Sequence, residues 1–264
     1  MAPMVAPRGL IFLCLLQLSV QANVNTAVLT KMIQYFNNNV QPKTKPDIQY
    51  AIAISVPEKQ CTDETSSIET VFSREDAEKV QTILTNGQTC ELCTNSQNVI
   101  AARPKSDKIH AEYVLLYPPG NSPMDKLLEK AKDNDCVVFY TYNSPCVTKC
   151  IDGERSILEG LSNWKNKRNQ GLNVFVFHIV WHKDVWRSDL SEEFKKIDEK
   201  VPLYQCYGAE RMNCFKCRVQ QTTSYCLDVQ DKKQSLNYFL DLIHSYPELV
   251  DFARQLLGNL NLTK

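Results

Sequence analysis

Beyond residue 22 the sequence has no apolar run approaching the roughly 20 residues that a membrane-spanning helix requires, so no membrane partner is expected. It also lacks an excess of either charge. There are 30 Lys and Arg against 30 Asp and Glu, a formal net charge of zero, which excludes a global basic field that would draw the whole chain onto nucleic acid. The carboxyl end has neither a hydrophobic tail nor a retention tetrapeptide, which argues against a lipid anchor and against retention in the secretory pathway. No internal repeat and no low-complexity linker divides the chain.

What is present begins with Arg8, an apolar run over 10–20 interrupted only by Gln17 and Ser19, and Val20-Gln21-Ala22 with small residues at the −3 and −1 positions. That pattern reads as a cleavable secretory signal over 1–22, and the expected destination is secreted, extracellular. Arg8 leaves with it, so the mature chain carries 29 basic and 30 acidic residues, a net charge of −1. The remainder suits one α/β domain over 23–231, with 232–264 as a C-terminal amphipathic helix packed on it. That helix is read over 234–257, interrupted at Pro247.

Eleven cysteines in an exported chain predict disulfides. Cys14 belongs to the signal. If Cys146 and Cys150 hold a metal, the eight that remain are Cys61, Cys90, Cys93, Cys136, Cys206, Cys214, Cys217 and Cys226, enough for four bridges. Cys90-x-x-Cys93 and Cys214-x-x-Cys217 also have the form of a structural zinc site. Export favours bridges, and spacing does not give their connectivity.

Periodicity predicts an amphipathic helix over 26–37 with Val28, Leu29, Met32, Ile33 and Phe36 on one face, strands over 50–56 and 98–102, and between them a helix over 73–84 started by Ser73. From residue 109 the pattern alternates: helices over 109–116 and 122–132, a strand over 136–142, a helix over 144–167, a strand over 174–180 and a helix over 190–200. Such alternation implies a mostly parallel sheet with crossover helices.

The chemistry concentrates in His110-Ala111-Glu112 and in Pro145-Cys146 followed by Cys150. One imidazole and two thiolates supply the three protein ligands of a catalytic zinc and leave a position for water. Glu112, two residues from the histidine, is placed to move protons without ligating. Ser144 is a good N-cap and Pro145 suits a first helical position, which would set Cys146 in the first turn, where a thiolate is favoured, with Cys150 four residues on along the same face. Without a metal, these four residues read as a core histidine, a surface glutamate and two disulfide cysteines.

His-x-Glu followed by a Pro-Cys…Cys pair resembles the signature of the zinc nucleobase deaminases, the cytidine deaminase-like superfamily. Tyr142-Asn143-Ser144-Pro145-Cys146 is most similar to the Ser-Pro-Cys segment of the AID/APOBEC polynucleotide cytosine deaminases, and the signal with many cysteines resembles the secreted AID/APOBEC-like deaminases of fishes. The resemblance implies a five-stranded mixed sheet flanked by helices, here with a disulfide-rich C-terminal extension. It further implies zinc as cofactor and hydrolysis of cytosine to uracil. The chain departs from the pattern in two places. Three residues rather than two separate the cysteines, and Asn143 stands where many of these enzymes have a tryptophan. By the same likeness Tyr142, Asn143, Ser144, Trp181 and Trp186 are candidates for substrate contact, the last two in an aromatic and cationic loop over 181–187 suited to a single-stranded base. The plain reading of that loop is a packed aromatic corner with a charged tip.

His178 and His244 are flanked by apolar residues and read as core histidines, and Asn261-Leu262-Thr263 is a glycosylation acceptor near the terminus. Three functions compete. The first is deamination of cytosine in single-stranded DNA or RNA in extracellular defence, with Lys165, Lys167 and Arg168 as a local cationic stripe. The second is deamination of free cytidine or a free base, for which a near-neutral charge is no handicap. The third is a non-catalytic secreted binding protein on the same fold.

Overall fold

The structure is a computed structural model that describes residues 23–43, 48–185, 187–208, 212–217, 219, 220, 223, 224 and 226. The expected signal over 1–22 and the expected C-terminal helix over 232–264 lie outside the described residues.

Helix α1, Thr26–Asn39, is started by Asn25, whose side chain accepts from the amides of Ala27 and Val28, and it buries the expected stripe together with Tyr35. Strand β1, Ala51–Pro57, follows, then a short helix α2, Lys59–Thr62, and helix α3, Arg74–Thr85. Ser73 caps α3 by accepting from the Asp76 amide at 3.1 Å. Its face of Ala77, Val80 and Leu84 packs on the same side of the sheet as α1, so the insertion between two strands becomes a second helix of one layer.

Strand β2, Val99–Ala102, is followed by α4, Ala111–Leu116, and α5, Pro123–Lys130, the latter closed by a capping box between Ser122 and Asp125. Strand β3, Asp135–Asn143, leads through a π-helical turn, Val147–Ile151, to α6, Leu158–Lys167. Then come β4, Leu172–Ile179, α7, Leu190–Asp198, β5, Leu203–Tyr207, and β6, Asn213–Lys216, with a two-stranded ribbon of β7, Val219–Gln220, and β8, Thr223–Ser224. Among the described residues no helix is long and apolar enough to cross a membrane.

The main sheet has the order β2-β1-β3-β4-β5-β6. β3, β4 and β5 run parallel, and the outer pairings are antiparallel. Strands buried on both faces read as nearly continuous apolar runs, and the two-residue alternation sorts β3 between two cores. Cys136, Val138, Tyr140 and Tyr142 point to α1 and α3, while Val137 and Phe139 point to the layer of α4 to α7. In that second core Phe139 stacks on Phe175, with centroids 4.9 Å apart, and Trp164 is fully buried with its indole N–H donating to Asn173 at 3.0 Å.

Two expectations need correction. The sheet has six strands, not five. β6 exposes Asn213, Phe215 and Lys216 and buries only Cys214, so it carries no readable hydrophobic period; its register is held by the Cys206–Cys214 bridge directly across from β5. The single helix expected over 144–167 is broken, because the chain folds tightly on itself at Gly153. A Cβ there would lie 2.5 Å from the Thr148 carbonyl oxygen and 2.8 Å from the Lys149 Cα.

The eight cysteines set aside above form four bridges, Cys61–Cys136, Cys90–Cys93, Cys206–Cys214 and Cys217–Cys226. Cys90 and Cys93 close on each other, whereas Cys214 and Cys217 each bridge to a different partner, so all four thiols of the two Cys-x-x-Cys pairs are taken up in disulfides. Cys146 and Cys150 are free and buried.

Candidate active site

His110 is the residue at which the chain turns into α4; its backbone is extended, with φ −77° and ψ 162°. Its Nε2 lies 3.2 Å from the Asp107 carbonyl, which assigns the ring proton to that nitrogen and leaves Nδ1 as the acceptor face. Nδ1 lies 3.0 Å from the Cys150 sulfur and 3.6 Å from the Cys146 sulfur, and the sulfurs are 3.4 Å apart. Zn–S bonds of about 2.3 Å and a Zn–N bond of about 2.0 Å make tetrahedral edges of about 3.5 to 3.8 Å, so the three donors already stand within about half an ångström of that arrangement. Among the described residues this is the one His/Cys/Asp/Glu cluster of metal-binding dimensions. The residues present fit zinc in number, chemistry and spacing; the identity of a metal is a further step.

The sulfurs come together by a different local route from the one the sequence suggests. Cys146 has extended backbone, φ −71° and ψ 141°, and stands at the start of the π-helical turn rather than inside a first helical turn. Cys150 reaches it because its amide donates to the Cys146 carbonyl at 2.9 Å. Ser144 does not cap this turn: its hydroxyl accepts from the Trp181 amide at 2.9 Å. The orphan amide of Val147 donates instead to the buried carboxylate of Asp184 at 2.9 Å. Burial raises the Asp184 pKa, and that amide opposes the rise. The hydrogen bond from Cys150 lowers the Cys146 thiol to about 4 against the cost of burial, and Cys150 is raised in turn.

Glu112 is the second residue of α4 and is 1% exposed. Its Oε1 accepts from the Thr141 hydroxyl at 2.7 Å and from the Gln49 amide nitrogen at 2.9 Å. Its Oε2 is buried without a hydrogen-bond partner. Burial raises the pKa, as a carboxylate taken out of water without a full set of donors must show. The result is a carboxyl group held at one oxygen and free at the other, which suits proton transfer.

Thr141 and Gln49 were not visible from the motif. Thr141 lies two residues before Asn143, so strand parity puts both on the face that carries the cysteines; that signal was available. Gln49 lies just ahead of β1 and is 63 residues from Glu112 in sequence, a distance no local pattern spans. Asp184 falls inside the 181–187 loop, whose inward turn no period announces.

Of the residues proposed for substrate contact, Asn143 and Ser144 are buried beside the cysteine turn, and Trp181 is half-buried against the same core. Trp181 also meets the His182 ring, with centroids 4.2 Å apart. Tyr142 points to the opposite face of the sheet, where its ring lies 5.2 Å from that of His178, because it is one residue out of phase with Thr141 and Asn143. Trp186 lies outside the described residues. The suggested stripe of Lys165, Lys167 and Arg168 is engaged in holding the fold. Lys165 donates to the Glu199 carbonyl, Lys167 pairs with buried Asp125, and Arg168 is buried against the carbonyls of Lys132, Asp133 and Asp135. Exposed lysines lie instead on the segments that carry or adjoin the cluster: Lys105 and Lys108 ahead of His110 and Lys183 beside Asp184, while Lys149, between the cysteines, donates to the Asp107 carbonyl.

Comparison with known proteins agrees with this geometry. A family model described as Secreted Novel AID/APOBEC-like Deaminase 1 matches residues 26–230. No curated protein matches the chain.

Proposed function

We propose, from the premise that this chain belongs to the Secreted Novel AID/APOBEC-like Deaminase 1 family, that it is a secreted zinc-dependent deaminase converting cytosine to uracil in single-stranded polynucleotide. The observation that carries the reading is the convergence of His110, Cys146 and Cys150 beside a buried carboxyl group with one unpartnered oxygen. Zinc held by those three residues supplies the Lewis acidity that brings the ionisation of a water molecule toward neutral pH. Glu112 does the proton work. Its Oε2 takes one proton from the attacking water and delivers it to the ring nitrogen, then takes the proton of the hydroxyl left on the ring carbon and gives it to the amine as the C–N bond breaks and the carbonyl forms, while Thr141 and Gln49 keep Oε1 in place. The products are uracil and ammonia. The four bridges and the family's description support an extracellular site of action. Exposed Lys105, Lys108 and Lys183 support a polyanionic substrate.

A second reading, deamination of free cytidine, is favoured by the near-zero net charge and by the engagement of Lys165, Lys167 and Arg168 in the fold. Conversion of single-stranded DNA, RNA and cytidine, each at low and high salt, decides between them. The polynucleotide reading predicts activity that falls steeply with salt, and the nucleoside reading predicts little dependence. Glu112→Ala is expected to lower either activity by roughly 100-fold or more. A variant that keeps a biological effect without turnover would instead identify a binding protein.

A further inference from the structure

Gln49, just ahead of β1, delivers one polar side chain into the site, and it makes three hydrogen bonds there. The Gln49 amide nitrogen donates to Glu112 Oε1 at 2.9 Å and to the Thr141 hydroxyl at 2.8 Å, and its oxygen accepts from the Asn143 amide at 2.7 Å. Thr141, having accepted from Gln49, donates its own hydroxyl to Glu112 Oε1 at 2.7 Å, so the two donors meet the same carboxylate oxygen. Both hydrogens and the oxygen of the amide are used, and this fixes its orientation. Ile48, next to Gln49, is itself tied down, since Gln41 donates to its carbonyl at 3.0 Å and Gln81 donates to the Gln41 carbonyl at 2.9 Å.

We infer that Gln49 is a positioning residue for proton transfer: it clamps Glu112 Oε1 to the end of β3 so that Oε2 alone remains free to carry the proton. This inference rests on the deaminase reading. The physical reason is economy of rotation. A carboxylate on a helix of six residues, with a single hydroxyl donor, would be free to pivot about that hydrogen bond and exchange its two oxygens. A second donor, from a different part of the chain, removes that rotation. The same amide fixes the backbone at Asn143, two residues before Pro145-Cys146, and so sets the proton carrier and the start of the cysteine turn in one frame. A misplacement of about 1 Å at such a point costs on the order of 100-fold in rate.

Two variants separate this role from support of the fold and from substrate contact. Gln49→Met keeps the length and removes every polar interaction; kcat is expected to fall roughly 10- to 100-fold with KM, metal content and melting temperature little changed. The Asn143 amide should also exchange with solvent faster, while the neighbouring Tyr142 and Ser144 amides, which donate to the Tyr50 and Ile179 carbonyls, stay protected. Gln49→Glu keeps the acceptor for the Asn143 amide but sets a carboxylate against Glu112, so Asn143 should stay protected while kcat falls at least as far. A rise in KM with kcat unchanged, or an unaltered Asn143 exchange rate in Gln49→Met, overturns the inference while leaving the deaminase reading intact. Absence of turnover by the wild-type protein on DNA, RNA and cytidine removes that reading and the inference together.

Discussion

Cys90 and Cys93, and Cys146 and Cys150, are two closely spaced cysteine pairs in one chain, and they have opposite fates. The first is bridged, and the second remains as free thiols. Cys90 and Cys93 lie along the edge of β2, where their amides donate to the carbonyls of Ala101 and Val99. Cys146 and Cys150 lie on a helical turn whose sulfurs are met by a third donor, the Nδ1 of His110. Sequence spacing alone does not separate a disulfide from a metal site. The separation comes from what the fold brings to the pair from elsewhere, here an imidazole 36 residues before Cys146.

The largest expected effect is on the open pair. Cys150→Ala leaves two donors where catalytic zinc requires three, so metal content should fall to background and turnover with it; elemental analysis of the purified variant checks this. Two carboxyl groups on adjacent helices repeat the lesson. Glu112 is raised by burial, whereas for Asp125, equally buried, Lys167 at 2.6 Å, Ser122 and Asn163 outweigh that same burial and hold it at about 2. A depressed carboxyl pKa contributes stability above the unfolded value of about 4 that is lost as pH falls through the folded value. Asp125→Asn should therefore cost on the order of 2 kcal/mol near neutral pH, and the two proteins should converge as pH approaches 2 in denaturant unfolding followed across that range. The smallest effect belongs to the closed pair. Removing Cys90 and Cys93 together opens a bridge of sequence separation 3 and should cost no more than about 2 kcal/mol, with metal content and turnover unchanged.

Much of this was legible in the sequence. The stripe of α1, the Ser73 cap, the alternation from α4 to α7 and the three-donor set all follow from local patterns, because spacing along a helix or strand fixes which side chains share a face. What was not legible depends on contacts between distant segments. β6 has one buried residue and no period of its own. The break at Gly153 follows from its approach to the Thr148 carbonyl, not from helix propensity. Ser144 has the composition of a cap, yet its hydroxyl is taken by Trp181 and the capping falls to Asp184, from a loop 37 residues away. Gln49 had no signal at all, since a glutamine ahead of a strand is ordinary until Glu112 and Asn143 are brought to it.

The central claim is that the open pair and His110 hold a metal. Its most direct test is zinc stoichiometry measured together with thiol counting on protein secreted from eukaryotic cells. The account predicts about one zinc per chain, with Cys146 and Cys150 becoming reactive only after chelation and the metal lost in His110→Ala. Folded, metal-free protein in which Cys146 and Cys150 are joined to each other would contradict it.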